Sequence, residues 1–312
     1  MLWPDLKRIG DGALKIVLVG PTASGKSSLA IGLAKELGNL VLLNGDAFSV
    51  YKDMTIGTAK PTPQELDGVD LRLTDLVDPT VDFSLYDYKC LADKEVGSQE
   101  NILLVGGSAL YIKAITDHLE LPGLFPDTRK MLEERLVESG PENLWKELNQ
   151  LDEEASLKID PRNSRRILRA LEVTLGSKKK FSSFGPGVDK SPESEFKFIG
   201  LSMDNEPLKH KIEQRLQKQL EAGFLDEVEM LFSKYGSLSR TARQSIGYME
   251  LKSVLDGLVS IEEAKVEIIR RTNRMARRQI KWFRRDSRVT WIEVVSNVDS
   301  MIKSFKKAVL ID

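Results

Sequence analysis

The sequence predicts an α/β fold with a parallel sheet, and three observations carry that prediction. Short uninterrupted runs of Ile, Val and Leu recur along the chain, helix-like stretches separate them, and a glycine-containing turn follows the first run directly. Strands buried on both faces read as continuous apolar runs, because helices cover the sheet on each side. Ile16-Val17-Leu18-Val19 is the first such strand. Residues 27–37 follow as a helix, with Leu29, Leu33 and Leu37 at a spacing of four and Gly38 as the stop. Leu40-Val41-Leu42-Leu43 is the second strand. Asn101-Ile102-Leu103-Leu104-Val105 is the third, ended by Gly106-Gly107 and followed by a helix over 109–115.

The character then changes. Pro122, Pro126 and Pro141 punctuate helical stretches at 128–138, 143–150 and 162–175, with no strand signal among them. Residues 176–195, with three consecutive lysines and Gly185-Pro186-Gly187, read as a mobile loop. The strand signal resumes at 196–201; helices over 207–235 and 261–285 and a last strand over 289–294 follow. The expected organisation is a core of residues 1–120 and 195–312 with an all-helical insertion over 121–194. No internal repeat is present.

Composition narrows the class. The 312 residues hold 46 Lys and Arg against 47 Asp and Glu, a net charge of −1, and are long enough for about two domains. The single cysteine, Cys90, excludes an intramolecular disulfide, fits a reducing, cytoplasmic setting and reads as a small buried apolar residue. No apolar run approaches the roughly 18–20 residues of a membrane span, and the first residues do not form a signal peptide. His118 and His210 lie far apart in no metal-like spacing. Nothing calls for more than a monomer.

Gly20-Pro21-Thr22-Ala23-Ser24-Gly25-Lys26-Ser27 matches G-x-x-x-x-G-K-[ST], a loop of the nucleotide-binding, ATP-binding type. Its backbone N–H groups must wrap a phosphate, and glycine allows the close approach. The following helix presents its positive end to the anion. Lys26 adds a point charge, and the Ser27 hydroxyl is placed to bind Mg²⁺. The pattern thus predicts a P-loop NTPase-like core, but it specifies a phosphate chain rather than ATP hydrolysis. The third strand ends in Gly106-Gly107-Ser108 where a motor ATPase or GTPase has an Mg²⁺-binding Asp, and no guanine signature N-K-x-D is present.

Asp46 follows the second strand and Ser108 the third, so both face the crevice at the carboxyl ends of the strands. A carboxylate there can accept a proton from an incoming nucleophile, hold Mg²⁺ through water, or simply form a turn. Ser108 can line the crevice, cap the next helix, or do both.

With the phosphate loop and Asp46, the segments Tyr51, Met54-Thr-Ile-Gly-Thr-Ala-Lys-Pro61, Val105-Gly-Gly-Ser-Ala-Leu-Tyr111, Arg169-Ala-Leu-Glu-Val173, Ile246-Gly-Tyr248 and Ala276-Arg-Arg-Gln-Ile-Lys-Trp-Phe-Arg284 occur in an order that resembles the tRNA dimethylallyltransferase (IPP transferase) family over nearly the whole chain. The resemblance implies transfer of a dimethylallyl group from dimethylallyl diphosphate to the N6 amine of the adenosine 3′ of the anticodon, position 37, with release of diphosphate. The phosphate loop would then hold the leaving diphosphate. Lys26 and Mg²⁺ would stabilise its charge, Asp46 would be the base, and Ser108 would stand where the family has a donor- or nucleotide-contacting Thr. The target base must leave the anticodon stack, which demands a firm grip on the surrounding RNA. The residues implied in that grip are Asp46, Ala47, Phe48, Ser49 and Ser108; Arg129, Arg165, Arg166 and Arg169 in the insertion; and Gln244, Gly247, Tyr248, Arg277, Arg278, Gln279, Trp282 and Arg284.

The chain departs from the family pattern at Ala47 and Ser49, where Ser and Gln are usual, at Asn273, where Arg is usual, and at Ser108 in place of Thr. Charge is unevenly distributed. Residues 270–288 hold eight Arg, one Lys and one acid, and 162–169 hold four Arg. Such runs are either solvated faces or phosphate-binding ones, and Arg favours the latter. The alternative is transfer of the same group to a free adenylate, which would leave the insertion and the arginine runs without an evident purpose.

Overall fold

The computed structural model of the protein describes residues 14–184, 192–295 and 297–309. Six parallel strands form one sheet: β1 (Lys15–Val19), β2 (Val41–Asn44), β3 (Leu71–Arg72), β4 (Ile102–Gly106), β5 (Lys197–Ser202) and β6 (Val289–Glu293), in the order β3-β2-β4-β1-β5-β6. The parallel α/β expectation is therefore borne out. Side chains alternate across the sheet, as a period of two requires. Ile16, Leu18, Leu42, Leu103 and Ile199 face one apolar cluster, while Val17, Val19, Leu43, Leu104 and Phe198 face the other. Burial on both faces is why these strands are uniformly apolar.

The helices are α1 (Lys26–Leu37), α2 (Pro63–Leu66), α3 (Leu85–Ser98), α4 (Ala109–Thr116), α5 (Pro126–Leu151), α6 (Glu153–Leu157), α7 (Ser164–Ser177), α8 (Asn205–Glu221), α9 (Phe224–Tyr235), α10 (Tyr248–Leu255), α11 (Ile261–Phe283) and α12 (Val298–Val309). On one side of the sheet, α1 and α12 contribute Leu29, Leu33, Met301 and Phe305. On the other, α3, α4, α9, α10 and α11 contribute Tyr88, Ile112, Val228, Leu251 and Ile268.

By internal contacts the chain divides into two compact units, Met1–Asp117 with Ser191–Asp312, and His118–Lys190. The second unit is helical among its described residues. It packs α5, α6 and α7 around Leu132, Leu144, Leu148, Ile167, Leu168 and Leu171. The two helices expected at 128–138 and 143–150 meet in α5 at a kink, where Gly140 has φ 76° and Pro141 follows.

Two expectations are corrected. Residues 207–235 form two helices, because Gly223 adopts φ 93° between α8 and α9 and ends the hydrogen-bonded ladder. Cys90 is exposed: α3 buries Tyr88, Ala92 and Val96, and this spacing of four turns position 90 outward. In the segment expected to be a mobile loop, Phe181–Ser183 forms a short 3₁₀ turn, and Ser182 donates its backbone N–H and its hydroxyl to Asp152 at 2.8 and 2.7 Å. Residues 185–191 of that segment lie outside the described residues.

Candidate active site

The turn between β1 and α1 has the backbone of an anion cradle. Gly20 (φ 152°), Ala23 (φ 65°) and Gly25 (φ 87°) all take positive φ. Ala23 holds a conformation that costs a non-glycine residue about 1 kcal/mol or more, a strain typical of ligand clamps. The first turn of α1 contains no acidic residue, and its N-cap Gly25 provides no side-chain cap, so the helix end offers its N–H groups outward. The Lys26 ammonium folds over the loop and donates to the carbonyls of Gly20 at 3.0 Å and Pro21 at 2.7 Å. Burial pushes it down to about 7; nearby Asp46 opposes that shift and Arg215 reinforces it.

Asp46 sits where the strand-end argument puts it. Buried Asn44, the last residue of β2, accepts the Asp46 N–H and donates to the Asp46 carbonyl, both at 3.0 Å, and donates to Leu73 O at 2.9 Å. One Asp46 oxygen accepts the Phe48 N–H at 2.8 Å, which makes the turn that the sequence also allowed. That bond leaves the other oxygen to the crevice. Ser108 precedes α4 but makes no side-chain cap; its hydroxyl accepts the Ala47 N–H at 3.0 Å and ties the loop after β4 to the loop after β2.

Two side chains from the second half of the chain complete this surface. Gln279 of α11 accepts the Thr22 N–H at 2.8 Å and donates to Gly107 O at 3.1 Å, which joins the phosphate loop to the loop after β4. A Cβ at 107 would stand 2.2 Å from Gln279 Nε2, so a side chain there would push Gln279 out of this bridge. Arg215 of α8, which sequence reasoning did not single out, reaches Thr22 Oγ1 at 3.3 Å and Thr58 O at 3.4 Å. Burial lowers its proton affinity, and Asp46 opposes the shift. Asp46, Arg215, Thr22 and Thr58 share one cavity with the apolar side chains of Phe48, Ile212, Leu216, Ile246 and Met275. A charged polar end and an apolar wall thus meet in one space.

The remaining candidates fall into distinct settings. Ser49 is buried, and its carbonyl accepts the Asp75 N–H. Tyr248 and Gly247 are buried; the Tyr248 phenol donates to Glu227 at 2.8 Å, and burial followed by the Glu227 charge pushes its ionisation well up. Gln244 is exposed. Trp282 packs against the core, whereas Arg277 and Arg278 on α11 and Arg284 just past its end are exposed. Asn273 turns back to Ile269 O at 3.0 Å. Within the insertion, Arg129 pairs with Glu133 and lies 3.7 Å from Glu172, Arg169 pairs with Glu172 at 2.7 Å, and Arg165 and Arg166 are exposed.

A parallel sheet with a phosphate loop at its strand ends, facing a carboxylate and a buried guanidinium, defines a phosphate-handling α/β enzyme. The model of the IPP transferase family matches residues 49–286. A tRNA dimethylallyltransferase of Streptomyces coelicolor is 41% identical over 281 residues, covering 89% of each chain. One from Synechocystis is 38% identical over 298 residues, covering 95% of this chain and 96% of that one. The crystal structure of a tRNA isopentenylpyrophosphate transferase from Bacillus halodurans superposes with a TM-score of 0.69 at 33% identity, over 95% of both chains. A eukaryotic dimethylallyltransferase, captured crystallographically acting on tRNA, shares the fold with a TM-score of 0.81 at 23% identity, over 96% of this chain and 78% of that one. The chain belongs to the IPP transferase family, that of the tRNA dimethylallyltransferases.

Proposed function

We propose that this protein transfers the dimethylallyl group of dimethylallyl diphosphate to the exocyclic N6 of the adenosine 3′ of the anticodon in tRNA and releases diphosphate. The observation that carries this reading is the placement of the Asp46 carboxylate in one cavity with Arg215 and the Thr22 edge of the phosphate loop. The loop, Lys26 and Arg215 hold the diphosphate and stabilise the negative charge it gains as the allylic C–O bond breaks. The apolar wall accommodates the five-carbon group. As the N6–C bond forms, Asp46 accepts the N6 proton, and the electron pair of the broken bond leaves with the diphosphate.

Ser27 is exposed at the start of α1, and the described residues contain no cluster of three or more His, Cys, Asp or Glu side chains fit to hold a metal. This donor set suits Mg²⁺, which takes few protein ligands and completes its shell with water and substrate phosphates. Ser27 would hold it, and the bound ion would add positive charge at the diphosphate. The exposed arginines of α11 favour tRNA over a free nucleotide as acceptor, and Arg165 and Arg166, with Arg129, are proposed to make the insertion's contribution to RNA binding, while Arg169 ties α7 to the segment before α5. Among the described residues no helix is long and apolar enough to cross a membrane, and cytoplasmic action is proposed.

The test is direct. Protein incubated with labelled dimethylallyl diphosphate and Mg²⁺ should label unmodified tRNA and leave AMP unlabelled. Label in AMP alone would establish the free-nucleotide activity instead.

A further inference from the structure

The segment Met54-Thr-Ile-Gly-Thr-Ala-Lys-Pro61 carries much of the family resemblance, yet its backbone faces a buried carboxylate of the protein itself. The N–H groups of Thr55 and Ile56 donate to Glu227 Oε2 at 3.0 and 2.6 Å, and that of Gly57 donates to Oε1 at 3.1 Å. The Tyr248 hydroxyl completes the set on Oε1 at 2.8 Å. Three successive N–H groups converging on one anion form the kind of concavity that elsewhere receives phosphate. On the other side of the loop, Gln219 of α8 donates to the carbonyls of Ile56 and Gly57 at 2.6 and 3.0 Å. Gly57 is required there, because a Cβ would stand 2.3 Å from Phe224 and 2.7 Å from Tyr248. The next carbonyl of the loop, Thr58 O, accepts from Arg215, whose other terminal nitrogen reaches Thr22 of the phosphate loop. Both of these contacts are long, 3.4 and 3.3 Å, so a small shift of the 55–58 backbone breaks the register of the guanidinium.

We propose that Glu227 is a positioning residue for the transfer reaction: by anchoring the backbone of residues 55–57 it fixes the Thr58 carbonyl that orients Arg215 toward the diphosphate. The proposal rests on the reading above that Arg215 holds the donor. An ionised carboxylate accepts all four hydrogen bonds and donates none, whereas a glutamine of the same shape must turn an NH₂ toward donors. The isosteric change therefore disturbs the loop without opening a cavity.

The experiment uses the full chain as wild type and as Glu227→Gln, Tyr248→Phe, Arg215→Ala and the two double variants with Arg215→Ala. Calorimetric binding of inorganic pyrophosphate with Mg²⁺ and the KM values for both substrates are the readouts. Glu227→Gln should raise the pyrophosphate Kd and the donor KM about tenfold, as leaving buried donors unsatisfied would, and Tyr248→Phe about threefold. The tRNA KM should stay within about twofold, and in the Arg215→Ala background neither change should add more than about twofold. A purely structural role would lower the melting temperature and the active fraction at unchanged donor KM, and that result overturns the proposal. Multiplying effects in the double variants overturn it too. If Arg215→Ala itself left pyrophosphate affinity intact, the donor-site reading of Arg215 would fall, and the proposal with it. Should Glu227→Gln not fold, Tyr248→Phe carries the same comparison.

Discussion

The two arginine-rich helices look alike in sequence, and in the fold each divides its arginines between the protein and the surface. In α7, Arg169 is committed to the protein: it pairs with Glu172 and donates to the carbonyls of Pro122 and Gly123 at 2.7 and 3.2 Å. Glu172 is buried and also accepts the Phe125 N–H at 3.1 Å. Arg165 and Arg166 of the same helix are exposed. In α11 the division runs around the helix, and Arg271 pairs with buried Glu250. Ala276 and Phe283 are buried, Gln279 holds two loops of the crevice, and Arg277, Arg278 and Arg284 are exposed. A basic run is therefore not one signal. Where a buried carboxylate and free carbonyls lie within reach, it organises the fold; where they do not, it remains available to a polyanion.

The largest expected effect sets the frame for this contrast, because it should leave the arginines untouched. Asp46→Ala should lower kcat by about 10²–10⁴-fold while tRNA affinity, measured by filter binding, stays nearly constant. Equal losses of binding and turnover would mean that Asp46 grips RNA and is not the base. Next, replacing Arg277 and Arg278 together by Ala should weaken tRNA binding about tenfold and reduce the slope of log K against log salt by about 1.4, near 0.7 per phosphate contact. An unaltered slope would make the exposed side of α11 a solvated surface. Arg169→Ala should do the reverse: a loss of about 1–3 kcal/mol in stability, because buried Glu172 loses its nearest cation, with little change in slope. A slope change matching that of the α11 pair would erase the distinction between Arg169 and the exposed arginines. The smallest effect concerns pH. Lys26 is held to about 7 in the free site, and a bound diphosphate favours its charged form. The protonated lysine predominates below that value, so donor affinity should decline as pH rises from about 7 to 9 with proton uptake on binding, and Lys26→Arg should flatten the decline. Affinity that is level across this range would show that the Lys26 proton plays no part.

Much of the architecture was legible because the physics behind it is local. The phosphate loop, β1, β2, β4 and the glycine stop of α1 each declare themselves within a few residues. The elements that went unread have their cause elsewhere in the chain. β3 is two residues long and is ordered by pairing with β2. α3 did carry a readable cap, since Ser84 and Asp87 close a capping box, but its apolar stripe is broken by polar residues. Arg215 is the single arginine of a helix of mixed charge, among lysines and glutamates, and only the distant loops that carry Thr22, Asp46 and Thr58 make it a site residue. Glu227 had no local signature either, because its four donors come from other segments of the chain. Cys90 shows the limit of composition: a residue type that is usually buried still follows the face on which its helix places it.

The order of the strands also governs how the chain matures. β1 lies between β4 and β5, and β5 follows the whole insertion in sequence. During synthesis, β1 and β4 can pair while the insertion is still emerging, at about 5–20 residues per second. The side of β1 that β5 will cover presents unpaired backbone for that interval, a few seconds to tens of seconds. The insertion forms a compact unit of its own. The half-made sheet is therefore the vulnerable species in this protein's biogenesis, and slow translation through the insertion would prolong its exposure.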